Sequence, residues 1–273
     1  MDIQSKMNLF HNNPVTSWHE HACGLSYNGK LNEEYTDNFV KVMDTLGIDK
    51  AVSSLPIASD KHCPPEKFIA ANNITYEAVK RWPGRIYGMA FINPGYHDAM
   101  LDEVERCVNE LGFVGVKLYH QYRMDDPVQF ALVEKCIDLD IPILMHSAHA
   151  TDPGTCGRQP RLSDGEHMAN IARRYPEATF LMGHIGGGGD WQWSIKAIAD
   201  CPNVYADMGG SVHDRPLIEE SVKYLGANRI LFATDGPFCS SVAKILGADI
   251  SEEDKKTILA GGAFNRFLER TGK

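Results

Sequence analysis

A closed α/β barrel of eight parallel strands alternating with helices, the (β/α)8 or TIM barrel, is the fold this sequence predicts, allowing for local distortion of the ring. Eight short apolar runs begin near Val15, Ala51, Ile86, Phe113, Ile141, Ala178, Asn203 and Ile230, separated by 25 to 37 residues. The runs are continuously apolar rather than alternating, as in Ile141-Pro142-Ile143-Leu144-Met145 and Ile230-Leu231-Phe232-Ala233. That pattern fits strands buried on both faces of a parallel sheet. Each interval leaves room for one helix, and 273 residues match the roughly 250 of a barrel built as one domain. An open doubly wound sheet is the alternative arrangement of the same units.

The elements follow in order. Val15 opens the first strand, which ends in Trp18-His19-Glu20-His21. Tyr35, Phe39, Val42 and Leu46 then recur at spacings of three and four, the stripe of a core-facing helix. Strands at Ala51 and Ile86 come next, and Leu101, Val104, Val108 and Leu111 repeat the helical stripe after the third. Phe113, Ile141, Ala178, Asn203 and Ile230 open the remaining strands. Ser251 with Asp254 three residues on has the form of a capping box, which predicts a closing helix carrying Ile258, Leu259, Phe264, Phe267 and Leu268. No linker divides the chain, so one domain over residues 1–273 is expected, with 1–14 as an N-terminal extension. The longest irregular stretches, Ser59 to Pro65 and Ala148 to Pro160, follow strands and belong over the C-terminal mouth, where barrels bind substrates.

Charge and composition exclude several classes. With 27 basic against 36 acidic residues the net charge is −9, and no basic run offers a footprint for nucleic acid. No stretch of about 18 apolar residues predicts a membrane span, and Met1 to Pro14 lacks the apolar core of a signal peptide. A cytoplasmic protein is therefore expected. The seven cysteines are odd in number and scattered without close pairs, which fits reduced thiols.

The chemistry gathers at strand ends. His19 and His21, two apart on a strand, point the same way, so both imidazoles can reach one metal ion. Alone the pair is a weak signal. Its weight comes from His146 at the end of the fifth run, His184 at the end of the sixth and Asp235 at the end of the eighth, all at the mouth where barrel active sites are built. Three imidazoles and a carboxylate make a ligand set for zinc or a similar divalent ion with a position left for water. Such an ion lowers the pKa of its water from about 15.7 towards about 7, the basis of metal-assisted hydrolysis.

His19-x-His21, His146 in IPILMHS, His184 in FLMGHIGG, Asp235 in RILFATDGPF and the closing GGAFNRFL together resemble the amidohydrolase superfamily. The closer likeness is to its amidohydrolase-related branch, which also contains aminocarboxymuconate-semialdehyde and resorcylate-type decarboxylases. The resemblance runs from about Val15 to Leu268. It implies that His19, His21, His146 and Asp235 hold one divalent ion, zinc first, with manganese, iron or cobalt as alternatives. It further implies that His184 sits beside the metal-bound water and that Asp235 accepts its proton. The family usually carries an aspartate or similar residue two positions before the first histidine, where this chain has Ser17, so the support of His19 stays open. Lys117, at the end of the fourth strand, matches a carboxylated lysine that bridges two ions in binuclear members. For this branch the expected role is to support the site or pair with a substrate acid.

Other residues near the mouth are weighed against ordinary roles. Arg158 and Arg161, flanking Pro160, are candidates for bidentate capture of a carboxylate, against the plainer reading of solvated surface arginines. Tyr119 and His120 are candidates to line the mouth, against rim packing. The Gly186–Gly189 run lacks phosphate-loop spacing and suits a sharp turn after His184. The expected function is hydrolysis of a small amide, ester or lactone by metal-activated water, with His184 and Asp235 managing the proton. The alternative is metal-dependent, non-oxidative decarboxylation of an unsaturated or aromatic acid. A barrel that has lost catalysis is disfavoured, because all five site positions keep residues competent for metal chemistry. A small molecule is the expected partner, and oligomeric state stays open, with a homodimer as one candidate assembly.

Overall fold

The computed structural model describes residues 3–24, 29–57, 62–185, 187, 189–210 and 212–269. Eight parallel strands stand side by side in chain order: β1 Thr16–Glu20, β2 Lys50–Ser53, β3 Ile86–Phe91, β4 Gly115–Leu118, β5 Ile143–Met145, β6 Phe180–Met182, β7 Val204–Asp207 and β8 Ile230–Leu231. The ring closes where the Trp18 N–H donates to Phe232 O at 2.9 Å and the Asp235 N–H donates to His19 O at 3.0 Å. The predicted barrel is present, and each strand starts within two residues of its expected position.

The helices are α1 Ile3–His11, α2 Glu33–Leu46, α3 Pro65–Arg81, α4 His97–Asn109, α5 Phe130–Asp138, α6 Pro153–Arg158, α7 Gly165–Arg174, α8 Trp191–Ala197, α9 Leu217–Leu225, α10 Phe238–Gly247 and α11 Glu252–Ala260. α1 packs on the barrel through Phe10, whose ring meets Phe232 edge-on at 5.5 Å. Among the described residues no helix is long and apolar enough to cross a membrane.

Two helical stripes are rotated from their predicted phase. α2 buries Thr36, Phe39, Val40 and Met43, while Tyr35 and Val42 remain exposed. The Thr36 hydroxyl is satisfied by Ala22 O at 2.9 Å, so a polar residue joins the buried face. α4 buries Met100, Glu103, Val104 and Cys107. Glu103 is accommodated there because Asn72 and Arg106 both donate to its carboxylate.

The closing helix is also shorter than expected. Ser251 caps α11 by accepting from the Asp254 N–H at 3.0 Å, but the helix stops at Gly261, which has φ 75°. A Cβ at Gly261 would lie 2.5 Å from Trp18 Nε1, so the close approach requires glycine. A 3-10 turn over Gly262–Phe267 follows and carries Phe264 and Phe267 beneath the barrel. There they join Trp18, Val52, Leu144, Leu181 and Leu231 in a plug at the N-terminal end. Trp18 and Phe264 meet edge-to-face at 4.6 Å.

Of the two stretches expected to be irregular, 148–160 contains α6, whose start is signalled by Asp152 accepting from the Thr155 N–H at 2.7 Å, with Pro153 in the first turn. In the other, residues 59–61 lie outside the described residues, as do Gly186 and Gly188 of the glycine run.

Candidate metal centre

At the C-terminal mouth the strand ends bring the predicted residues together. β1 does not alternate strictly: its register against β2 slips between Ser17 and Glu20. Trp18 joins the plug below while His19 faces the mouth, with His21 just past the strand end. Glu20 is buried between β1 and β8, where it accepts from the Thr234 N–H at 3.1 Å and the Thr234 hydroxyl at 2.7 Å. Burial pushes its carboxyl up to about 7, against the hydrogen bonds from Ser17 and Thr234. Ser17 therefore bonds Glu20 rather than His19.

Support for His19 comes instead from Asp207, the last residue of β7. The His19 Nδ1–H donates to Asp207 Oδ2 at 3.0 Å. Asp207 Oδ1 accepts from the backbone N–H of His184 at 2.8 Å and of Gly209 at 2.9 Å. Sequence reasoning passed over Asp207, although it ends the apolar Val204-Tyr205-Ala206 run at the position that drew attention to His146 and His184.

Three imidazoles share one design. His19 donates Nδ1–H to Asp207, His21 to Ser54 O at 3.0 Å, and His184 to Ser147 O at 2.9 Å. A carbonyl can only accept, so for His21 and His184 the proton is assigned to Nδ1. In the neutral rings each Nε2 is left with a lone pair. Those three nitrogens face Asp235, with His19 Nε2 3.6 Å and His21 Nε2 3.1 Å from Oδ1, and His184 Nε2 3.5 Å from Oδ2. Acceptors facing a carboxylate repel unless positive charge lies among them, and in this structure the Lys117 ammonium, 2.7 Å from His19 Nε2, supplies it at His19 only. Outward-held histidine N–H groups are also the usual outer support of metal ligands. Donor atoms of His19, His21 and Asp235 all lie within 4.8 Å of one another. These residues thus fit a divalent ion.

His184 and Asp235 both have positive φ, 41° and 51°. Such backbone costs about 1–3 kcal/mol per residue and persists only where surrounding bonds impose it. Here those bonds are Asp207 on the His184 N–H and His19 O on the Asp235 N–H.

The other predicted residues are distributed around this group. The His146 ring lies 4.5 Å from that of His184, and its Nε2 is engaged by Gln159 Oε1 at 3.1 Å. Tyr119 stacks on His146, rings 4.1 Å apart and inclined by 18°. Lys117 is fully buried and donates to His19 Nε2 at 2.7 Å. Arg158 is exposed and bonds Thr155, while Arg161 donates to Gln121 O at 2.9 Å and lies over Tyr122. Neither arginine reaches the cavity, because α6 turns Arg158 outward and Arg161 ties the loop to the β4 exit. Gln159 and Thr155, unmarked by sequence reasoning, face the cavity instead.

Burial dominates the electrostatics. It lowers His19 to about 4, helped by the Lys117 ammonium, and holds His146 well below its ordinary value. It also lowers Lys117 to about 8, against the carboxylates of Asp235 and Asp207. Tyr119 is pushed up to about 12 by burial and by Asp235. Burial opposes ionisation of Asp235, but His19, His21 and His184 offset it when they carry a proton on Nε2 as well as on Nδ1, and so hold the carboxyl far below the usual range.

Above the group lies a cavity of about 280 Å3 lined by His146, Gln159, Leu162, His184, Asp235 and Pro237, among others. Drug-sized ligands occupy about 300–1,000 Å3, so this space takes one small molecule.

The profile of the amidohydrolase family matches residues 43–263. The chain belongs to the amidohydrolase family. Among its curated relatives, a gamma-resorcylate decarboxylase from Polaromonas sp. is 28% identical over 85% of this chain and 86% of its own length. A 2-keto-4-carboxy-3-hexenedioate hydratase from Sphingobium sp. is 22% identical over 87% of this chain and 84% of its own. The crystal structure of a 5-carboxyvanillate decarboxylase from Novosphingobium aromaticivorans, with bound manganese, superposes with a TM-score of 0.70 at 18% identity, covering 94% of this chain and 98% of that one. These amidohydrolase relatives are decarboxylases and a hydratase. They overturn the expectation of a hydrolase and favour the decarboxylase alternative. The physical reason is that the same imidazole and carboxylate donors serve either chemistry, so the strand-end residues identified the site without identifying the reaction.

Proposed function

We propose that this chain is a metal-dependent, non-oxidative decarboxylase of a small aromatic acid. The observation that carries the reading is the likeness, over 85% of the chain, to a gamma-resorcylate decarboxylase. The cavity supports it: the residues lining its described walls include no lysine or arginine, which suits a substrate with one carboxylate better than the several of a carboxy-hexenedioate.

The reaction breaks the bond between ring and carboxylate, leaves the electron pair on the ring carbon and puts a proton in place of CO2. A divalent ion would be held by His19, His21 and Asp235, with His146 joining them by giving up its bond to Gln159 Oε1, and would supply Lewis acidity towards the negative charge of the substrate. Manganese stands beside zinc as the candidate, since histidine and carboxylate ligands suit both and a related structure contains manganese.

This chain's own groups bind and move the proton. His184, fixed through Nδ1 on Ser147 O, presents Nε2 to the cavity and to Asp235. When protonated, Nε2–H is the proton that reaches the ring carbon, and the ionised Asp235 holds the imidazolium ready. Tyr119 aligns His146 by stacking, and Lys117, whose ammonium holds His19 Nε2 in this structure, would release that nitrogen to the ion. Gln159 and Thr155 offer hydrogen bonds to ring substituents. A single domain over residues 1–273, a cytoplasmic location and a homodimer complete the proposal, the location supported by seven free cysteines.

The test is a panel of hydroxybenzoates, lactones and unsaturated polycarboxylic acids offered to protein reconstituted with manganese or zinc. The expected result is CO2 release from a hydroxybenzoate, with one deuterium at the vacated carbon in D2O. Water addition to a polycarboxylic acid, or no CO2 from any aromatic acid by metal-loaded protein, overturns the reading.

A further inference from the structure

On the far side of the β7 exit from the cavity, α10 presents Lys244. Its ammonium has three donors, and all three go to consecutive carbonyls of one turn: Met208 O at 2.6 Å, Gly209 O at 3.2 Å and Gly210 O at 3.0 Å. No carboxylate pairs with it within salt-bridge distance among the described residues. A half-buried ammonium given wholly to three peptide oxygens serves to hold the backbone that bears them.

That backbone frames the metal group. Asp207, immediately before the turn, orients His19 through Oδ2 and fixes the His184 backbone through Oδ1. The turn also packs directly on the site. A Cβ on Gly209 would lie 3.1 Å from Asp235 Cβ, and one on Gly210 would lie 2.9 Å from His184 Cβ. Gly210 has φ 76°, so it passes His184 in a conformation that other residues rarely adopt. The turn carries no side chain at Gly209 and Gly210 to anchor it, the Gly209 N–H to Asp207 bond is local to it, and among the described residues its N–H groups are tied to β8 only at Met208, which donates to Leu231 O at 3.1 Å. Lys244 is the clamp from outside.

We propose that Lys244 is a positioning residue: by binding the Met208–Gly210 carbonyls it holds Asp207 against His19 and His184, and thereby sets the affinity of the site for its metal ion. It bonds none of the metal ligands and reaches the cavity only through the backbone of Gly210, which lines it. The inference rests on the reading of His19, His21 and Asp235 as a metal group, but not on which reaction that group serves.

The experiment compares the full-length protein with Lys244→Met and Lys244→Arg. Two quantities are read: amide hydrogen exchange of the metal-stripped proteins, and Mn2+ and Zn2+ affinity by equilibrium dialysis. In Lys244→Met, the His184 and Gly209 amides are expected to lose protection while the strands β2 to β5 keep theirs. Metal affinity is expected to fall about tenfold, the lower end for loss of an outer support. Lys244→Arg, which keeps cationic donors, is expected to recover most of both. If Lys244→Met does not fold, Lys244→Gln is measured in the same way and the same local loss is expected. Unchanged protection at His184 and Gly209 overturns the proposal, as does a loss spread evenly over the barrel, which marks a general packing role. If the unmodified protein binds neither ion, the metal reading fails, while the exchange comparison still decides whether the clamp exists.

Discussion

Replacing Asp207 with asparagine probes the frame of the site most directly. One oxygen accepts from the His184 N–H at 2.8 Å and the Gly209 N–H at 2.9 Å, and the other accepts from His19 Nδ1–H at 3.0 Å. Asparagine keeps an oxygen at only one of these positions. With that oxygen on the two backbone donors, its NH2 meets the His19 N–H, donor against donor. The ring escapes by carrying its proton on Nε2, which removes the lone pair that faces Asp235. A hydrogen bond to a charged group contributes about 1.5–3 kcal/mol. At about 1.4 kcal/mol per decade this is about 10- to 150-fold in metal affinity. The range overlaps the roughly 10- to 100-fold known for loss of an outer carboxylate partner. At about 2–4 °C per kcal/mol for a chain near this size, the stripped variant should melt about 3–12 °C lower. Equilibrium dialysis with metal counted per chain, beside thermal melts of the stripped proteins, reads both quantities. A variant that melts lower yet binds metal within about twofold of the parent refutes the reasoning, since His19 would then not depend on Asp207 for its ligand geometry.

Asp235→Asn, which leaves the His184 imidazolium without its carboxylate, is expected to reduce CO2 release by about 10²- to 10⁴-fold, the span of acid–base catalysis, and turnover within tenfold of the parent under metal saturation would contradict that role. Gly261→Ala forces a side chain at φ 75° into Trp18 and should destabilise by about 1–3 kcal/mol, so an unchanged melting temperature would show that the 3-10 turn is not seated beneath Trp18. His19 is lowered to about 4 from 6.5, so between those values the unfolded chain binds the extra proton and this group makes stability fall as pH drops. Glu20, raised to about 7 from 4.5, acts in the opposite sense, since the folded protein takes its proton first as pH falls. His19→Asn removes only the first effect, so stripped His19→Asn should lose less stability than the parent between pH 6.5 and 4.5 in urea unfolding. Equal pH slopes would show that His19 is not held neutral by burial.

Much of the barrel was legible because a parallel strand buried on both faces writes a continuous apolar run, and β5 and β8 read as Ile-Leu-Met and Ile-Leu without ambiguity. Helix phase was less legible. α2 turns Thr36 inward and Tyr35 outward because Ala22 O is there to satisfy the hydroxyl, and that partner lies on another segment of chain. At the site, His19, His21, His184 and Asp235 were legible from strand-end position. Asp207 obeyed the same rule, yet its importance lies in two bonds, to residues 188 and 23 positions away, that no local pattern announces. The arginines failed for the converse reason: side-chain chemistry suggested a carboxylate binder, while helix α6 decided which way Arg158 faces.

By itself the sequence determined the number and order of strands, the strand-end residues of the mouth and the family resemblance, because these depend on periodicity and residue type along the chain. Only the tertiary structure decided which atoms converge. The Nε2 atoms of His19, His21 and His184 face Asp235 because Asp207, Ser54 and Ser147 hold their other nitrogens, and those partners come from different strands and loops. Orientation of a ring is set by its neighbours in space, and ring closure is what makes β7 and β8 neighbours of β1.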